Sequence, residues 1–130
     1  MKTVRIVGVP EHFNFPWQLT IDEGMFNEVG IDVDWTDVPE GTGKMCELLR
    51  TNQTDLAVIL TEGILKDIAN GNESVILQTF VQSPLQWGIH VNAESSYKTA
   101  DVLLGQTAAI SGYGAGSALM TYVYPANQSW

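Results

Sequence analysis

The chain has 130 residues, 45% hydrophobic and 16% charged, which is enough apolar material for one packed domain and too much for a disordered chain. Its net charge is −9 with only 6 Lys and Arg, so nucleic acid and anionic membrane surfaces are not expected partners. No apolar run approaches the ~18 residues of a membrane span, so direct membrane insertion is not expected either.

The elements alternate between two periods. Thr3 to Val9 is β-branched and mostly apolar and predicts a buried strand. Pro10 to Phe15 is a loop with aromatic content. From Pro16 the period changes: Trp17, Ile21, Met25 and Val29 recur every four residues and predict one apolar helix face, closed by Gly30. Ile31 to Val38, "IDVDWTDV", alternates strictly and predicts a strand with one core face and one polar face. "PEGTGK" is a turn, and the helix after it points Met45, Leu48 and Leu49 inward and ends near Asn52. "TDLAVIL" predicts a strand, "TEGILKDIANG" a helix closed by Gly71, and "SVILQTFV" a further strand. Strands spaced this way by helices imply right-handed crossovers and a parallel sheet.

After Gln82 the pattern changes. "SPLQWGIHV" predicts another strand, "NAESSYKTADVLLG" a polar connection with a short helix, and "QTAAIS" a strand. The glycine-rich "SGYGAGS" follows, and "SALMTYVY" begins a helix that Pro125 ends. The fold class expected is α/β: a mostly parallel open sheet with helices on both faces, a flavodoxin-like lobe.

In such sheets ligands sit at the carboxyl ends of the strands, which selects four loops and the glycine turn. The first loop offers His12, Phe13 and Trp17, either as a pocket wall or as a cover for the sheet end. The second offers Gly41 and Thr42, where Thr42 can cap the next helix and free N–H groups favour a negative or polar group. The third offers Thr61 and Glu62, and the fourth Ser83; a helix cap and a plain turn are their ordinary readings. Ser111, Gly114 and Ser117 complete the set as an anion-compatible turn.

Familiar chemistries are excluded by spacing. "EGTGK" has one residue between its glycines and Met45 after Lys44, so it is not a Walker A loop. Gly112, Gly114 and Gly116 lack the dinucleotide spacing, and no acid follows in the remaining 14 residues. There is no Gly-x-Ser-x-Gly nucleophile elbow. Cys46 is the only cysteine and reads as a buried thiol, so neither a disulfide within the chain nor a zinc cluster can form. His12 and His90 have no sequence partner for metal or triad chemistry. No metal or cofactor is implied, and no enzymatic activity is expected.

"IDEGMFNEVGIDVDWTDVPEGTGKMCELLRTNQTDLAVILTEG" and "SSYKTADVLLGQTAAISGYGAGS" together resemble the type 2 periplasmic-binding-protein fold, in its sulfonate, nitrate and thiamine-pyrimidine branch. "EGMFNEVGIDVDW" is similar to that branch's exit from helix one into strand two, and Asn52 to Leu60 to its lead into strand three. The resemblance implies two α/β lobes that close on a small solute. Residues 1–91 match the first lobe; residues 92–130 match the hinge crossing and the start of a second, incomplete lobe. The glycine loop would then be the opposing jaw, with Gly112, Ala115 and Ala118 where the branch carries a basic residue and polar residues. The branch's thiamine-pyrimidine synthases carry a cysteine-rich iron motif, which a lone Cys46 does not supply.

The function this implies is recognition of a small anionic or heterocyclic molecule, linked to ABC-type transport. The alternative is a ligand-free lobe that forms a homodimer by exchanging its C-terminal βα arm. The opening "MKTVRIVGVP" is a strand rather than a signal peptide, which fits a cytoplasmic protein as written, or a periplasmic one if a leader was removed.

Overall fold

The computed structural model describes residues 1–130. Its centre is a three-stranded parallel sheet in the order β2-β1-β3, formed by β1 (Lys2–Gly8), β2 (Ile31–Asp37) and β3 (Leu56–Ala57). β1 pairs with β2 over its whole length, from Lys2 opposite Ile31 to Gly8 opposite Asp37. The connection from β1 to β2 steps one way and the connection from β2 to β3 steps back across β1. Right-handed crossovers therefore put their helices on opposite faces. The central strand shows the result: Ile6, Val7 and Gly8 are buried in succession, whichever face they point to. β2 is an edge strand and keeps the alternation read from its sequence, with Ile31, Val33 and Trp35 half-buried and Asp32, Asp34 and Thr36 exposed.

β1 leads through a 3-10 turn at His12–Asn14 into α1 (Phe15–Asp22) and α2 (Met25–Glu28). One continuous helix was expected from Trp17 to Val29. Gly24 instead takes a left-handed φ of 72°, which ends α1 and re-aims the chain. The four-residue repeat is thereby broken: Met25 is 50% and Val29 71% exposed, and Phe26 stacks on Trp17 in their place. α3 (Thr42–Arg50) and α4 (Thr61–Ala69) follow the predicted bounds closely, and α3 packs against both β3 and α4.

The core gathers Val7, Val38 and Met45, with Val9, Leu48, Ala57 and Ile59 packed around them. Cys46 is buried beside it, as its place on the apolar face of α3 predicts. Burial, then the Asp67 carboxylate, pushes its thiol up to about 11, so it stays protonated and inert at neutral pH. Burial would raise Asp67, but hydrogen bonds from Asn72 (2.6 Å) and Arg50 outweigh it and hold the carboxyl below its ordinary range. These bonds tie the end of α3 to the end of α4. A second tie joins β1 to the lead into β3: Arg5 grips Asp55 with Nη2 and Nε at 2.7 and 3.1 Å, and its backbone N–H donates to the same carboxylate at 2.9 Å.

Four strand expectations need correction. "TDLAVIL" is a strand for two residues only, although Asp55 and Val58 extend the ladder by one bond to Arg5 and one to Val7. "SVILQTFV", "SPLQWGIHV" and "QTAAIS" form no strand. No backbone–backbone hydrogen bond involves any residue from 75 to 91. A strand exists only where a neighbour supplies the other half of the ladder, and here none does. The short helix expected in 92–105 is a 3-10 turn at Asp101–Leu103. Pro125 does not end the last helix: α5 (Gly116–Asn127) runs through it.

Candidate functional site

Three of the expected loops meet at one place. α3 and α4 start side by side, because Gly63 leaves room: a Cβ there would lie 2.2 Å from Thr42 Cγ2. Thr42 is buried in this contact and is the first residue of α3, not its cap; Gly41 holds the cap position with φ 80° and no side-chain cap bond is made. The glycine turn then folds over these helix starts. A Cβ on Gly43 would lie 3.2 Å from the Tyr113 carbonyl oxygen, and one on Gly114 would lie 3.3 Å from Gly43 Cα. At Gly116 the same construction meets Leu60 and Trp87 at 2.9 Å and Glu62 Oε1 at 3.1 Å. Each glycine on this seam is therefore a close approach of backbone to backbone or backbone to side chain.

Glu62 thus sits in the first turn of α4 with one carboxylate oxygen buried against the start of α5 and without a hydrogen-bond partner. The positive end of the α5 dipole favours a carboxylate there. Thr61 beside it is exposed, as is Ser83 in its bend. Ser111 and Ser117 bond each other: the Ser111 N–H donates to Ser117 Oγ at 3.1 Å, and the two hydroxyl oxygens are 2.9 Å apart. They brace the glycine turn across its base.

The first loop builds a separate part of the site. Its 3-10 turn carries His12 edge-on to Phe13 at 5.8 Å and buries Asn14. A cavity of about 220 Å³ lies here, lined by Val9, His12, Asn14, Phe15, Gln18 and Asp37 among others. Trp17 closes the far side of the turn with an aromatic cluster: Phe26 at 5.8 Å, Trp35 at 5.9 Å and Phe80 at 5.9 Å. Phe80 against Trp17 and Trp87 against Gly116 show that the stretch between them spans from the first loop to the glycine turn. A second cavity of about 190 Å³, between Ile89 and Leu103, contains none of the expected residues.

Asn14 belongs to the first loop but not to the expected site set, and it lines the first cavity. It is 3% exposed, its Nδ2 donates to the Val9 carbonyl at 2.7 Å, and its Oδ1 is buried without a partner. The bond to Val9 fixes which amide atom is the oxygen. Gly8 is the cue: a Cβ there would lie 2.7 Å from Trp35 and 2.9 Å from Asn14 Nδ2, so a buried strand must end in glycine to admit them. Phe80 and Trp87 were also missed, because they lie in segments whose sequence reads as strand interior. No group of three His, Cys, Asp or Glu side chains gathers anywhere in the chain with the spacing to hold a metal ion.

The parallel open sheet, with loops converging at its carboxyl edge, has the periplasmic binding protein fold. The chain belongs to the NMT1/THI5-like family, whose sequence model matches residues 15–128. The chain is also similar to a solved structure, the CA3427 gene product of Candida albicans, which defines a family with the generic periplasmic binding protein fold. Identity is 36% and the TM-score 0.53, over 56% of this chain and 24% of that one, so the match spans about a quarter of the Candida protein. No curated protein matches the chain.

Proposed function

We propose that this chain is a solute-binding module that recognises a small anionic or heterocyclic molecule and serves an ABC-type transport system, acting by binding and without turnover. The observation that carries the reading is the seam where the glycine turn meets the first turns of α3 and α4 at the carboxyl edge of the sheet. It brings backbone N–H groups of two helix starts and one glycine turn to the place where open α/β sheets hold ligands. In this reading residues 1–91 are the first lobe and residues 92–130 the hinge and the opposing jaw. His12, Phe13 and Trp17 form one wall, Gly41, Thr42, Thr61, Glu62 and Ser83 the floor, and Gly114 the jaw tip. Ser111 and Ser117, bonded to each other, hold the jaw turn in shape.

A thermal-shift screen tests this with taurine, nitrate, a pyrimidine and an amino acid at millimolar concentration. Ligand at ten times its Kd stabilises by about 1.4 kcal/mol, which raises the midpoint by a few degrees. No shift with any of the four classes removes the reading.

A further inference from the structure

The cavity beside the first loop has a chemistry that the seam does not share. It sits where β1 and β2 end side by side, with Gly8 opposite Asp37 in the register. Glu11 and Asp37 both line it, and none of the chain's 6 Lys and Arg does. Neither carboxylate belongs to an ion pair. Asp37 is held from one side: Trp35 Nε1 donates to its Oδ1 at 2.9 Å, which leaves Oδ2 for a ligand. Trp35 is itself fixed by its packing on Gly8, where a Cβ would lie 2.7 Å from the ring. All the lining residues come from 9–18 and Asp37, so this chemistry belongs to the first two strand ends, whatever packs over them.

Two carboxylates alone would be a solvated rim. Asn14 makes the difference. It is 3% exposed, its Nδ2 is committed to the Val9 carbonyl at 2.7 Å, and its Oδ1 is buried without a donor. Native interiors rarely leave an acceptor in that state, because desolvated lone pairs are costly unless something donates to them. A buried acceptor and two carboxylates ask for the same thing, a hydrogen-bond donor with positive charge. The start of α1 at Phe15 borders the same cavity. Its free N–H groups supply about half a positive charge, against two full negative ones, so the sign of the cavity stays negative.

Taking the chain as a solute-binding module, on which this rests, we infer that the cavity receives a protonated nitrogen of the solute, an ammonium or amidinium group. Asp37 and Glu11 are its counter-charges, Asn14 Oδ1 is its neutral acceptor, and Trp35 positions Asp37. A bare anion such as nitrate gains nothing here, since it would lie against like charges and an oxygen that cannot donate.

Benzamidine and benzoate test this on the full chain, because they share a flat ring and a similar size and differ in the sign of the head group. Titrations at low salt, followed by NMR on backbone amides, should show benzamidine moving the signals of 9–18 and 37 and benzoate leaving them in place. Asp37→Asn should weaken benzamidine about tenfold, the loss of one charge-assisted hydrogen bond, and Glu11→Gln should weaken it less. Both residues are exposed, so the variants should fold. Asp32→Asn is the control: its carboxylate is exposed on the same strand, is bonded to Thr3 and lies outside the cavity, so the Kd should not change. Benzoate binding at 9–18 as well as benzamidine overturns the inference, and so does a benzamidine Kd that Asp37→Asn leaves unchanged. Absence of benzamidine binding, with one of the screened solutes bound elsewhere, overturns it while the solute-binding reading stands. Absence of binding by benzamidine and by all four screened classes removes both.

Discussion

Residues 2–8 and residues 75–81 are both seven-residue stretches rich in β-branched and aromatic or aliphatic side chains, and they meet opposite fates. The first is the central strand, with Ile6 and Val7 almost wholly buried. The second leaves Val75 and Leu77 mostly in solvent and makes no ladder bond. Propensity does not separate them. What separates them is company: β1 has β2 on one side and β3 on the other, each delivered by a short helical connection, whereas nothing is delivered beside 75–81. Beta propensity is a fit to a half-buried pleated surface and acts only when that surface exists. Six of the seven buried apolar residues, Ile6, Val7, Val38, Met45, Cys46 and Ile64, and all three ion pairs lie before residue 73; Ala118 in α5 is the exception.

If stability resides in the first region, substitutions there should dominate. Met45 is 1% exposed in the middle of the core, so Met45→Ala should cost about 2–5 kcal/mol, read as a lower denaturation midpoint in urea. A loss under 1 kcal/mol would mean that this core does not carry the fold.

Gly63→Ala is next. The added methyl meets Thr42 Cγ2 and should cost about 1–3 kcal/mol by overpacking. Thr42→Ser removes the obstructing methyl, so the double variant should recover most of that loss in a double-mutant cycle. Additive effects would mean that α3 and α4 do not touch at this point in solution.

The smallest effect is electrostatic. Hydrogen bonds and charge from Arg5 hold the Asp55 carboxyl down at about 2. Its folded value is therefore below the unfolded one of ~3.9. The stabilisation is present in full above the unfolded value and is lost as pH falls through about 2. Thermal melts of the protein and of Asp55→Asn should differ at neutral pH and converge as the solution is acidified through that window. The pair is partly exposed, so the difference should also shrink in high salt. A gap that persists at the lowest pH would assign the effect to packing.

The site was legible in part. The turn at 41–43, the first turn of α4 and the glycine turn were readable as strand-end loops, because glycine clusters and helix starts have local signatures. That Gly43 would face Gly114, and Gly63 would face Thr42, was not readable, since those contacts join positions 71 and 21 residues apart. Asn14 was hidden for another reason. A polar residue in an aromatic loop reads as solvated, and only its bond to the Val9 carbonyl shows that it is buried.

What sequence fixes in this protein is whatever a few neighbouring residues can enforce. The alternation of β2, the apolar faces of α3 and α4, and the burial of Cys46 all follow from periodicity, because each side chain's direction is set by the local backbone. What it leaves open is whatever requires a partner from elsewhere in the chain. The two-residue length of β3, the missing strands after residue 73 and the folding of the glycine turn onto two helix starts were settled in three dimensions. A ladder needs two strands, and a seam needs two surfaces; half of each is all that one stretch of sequence contains.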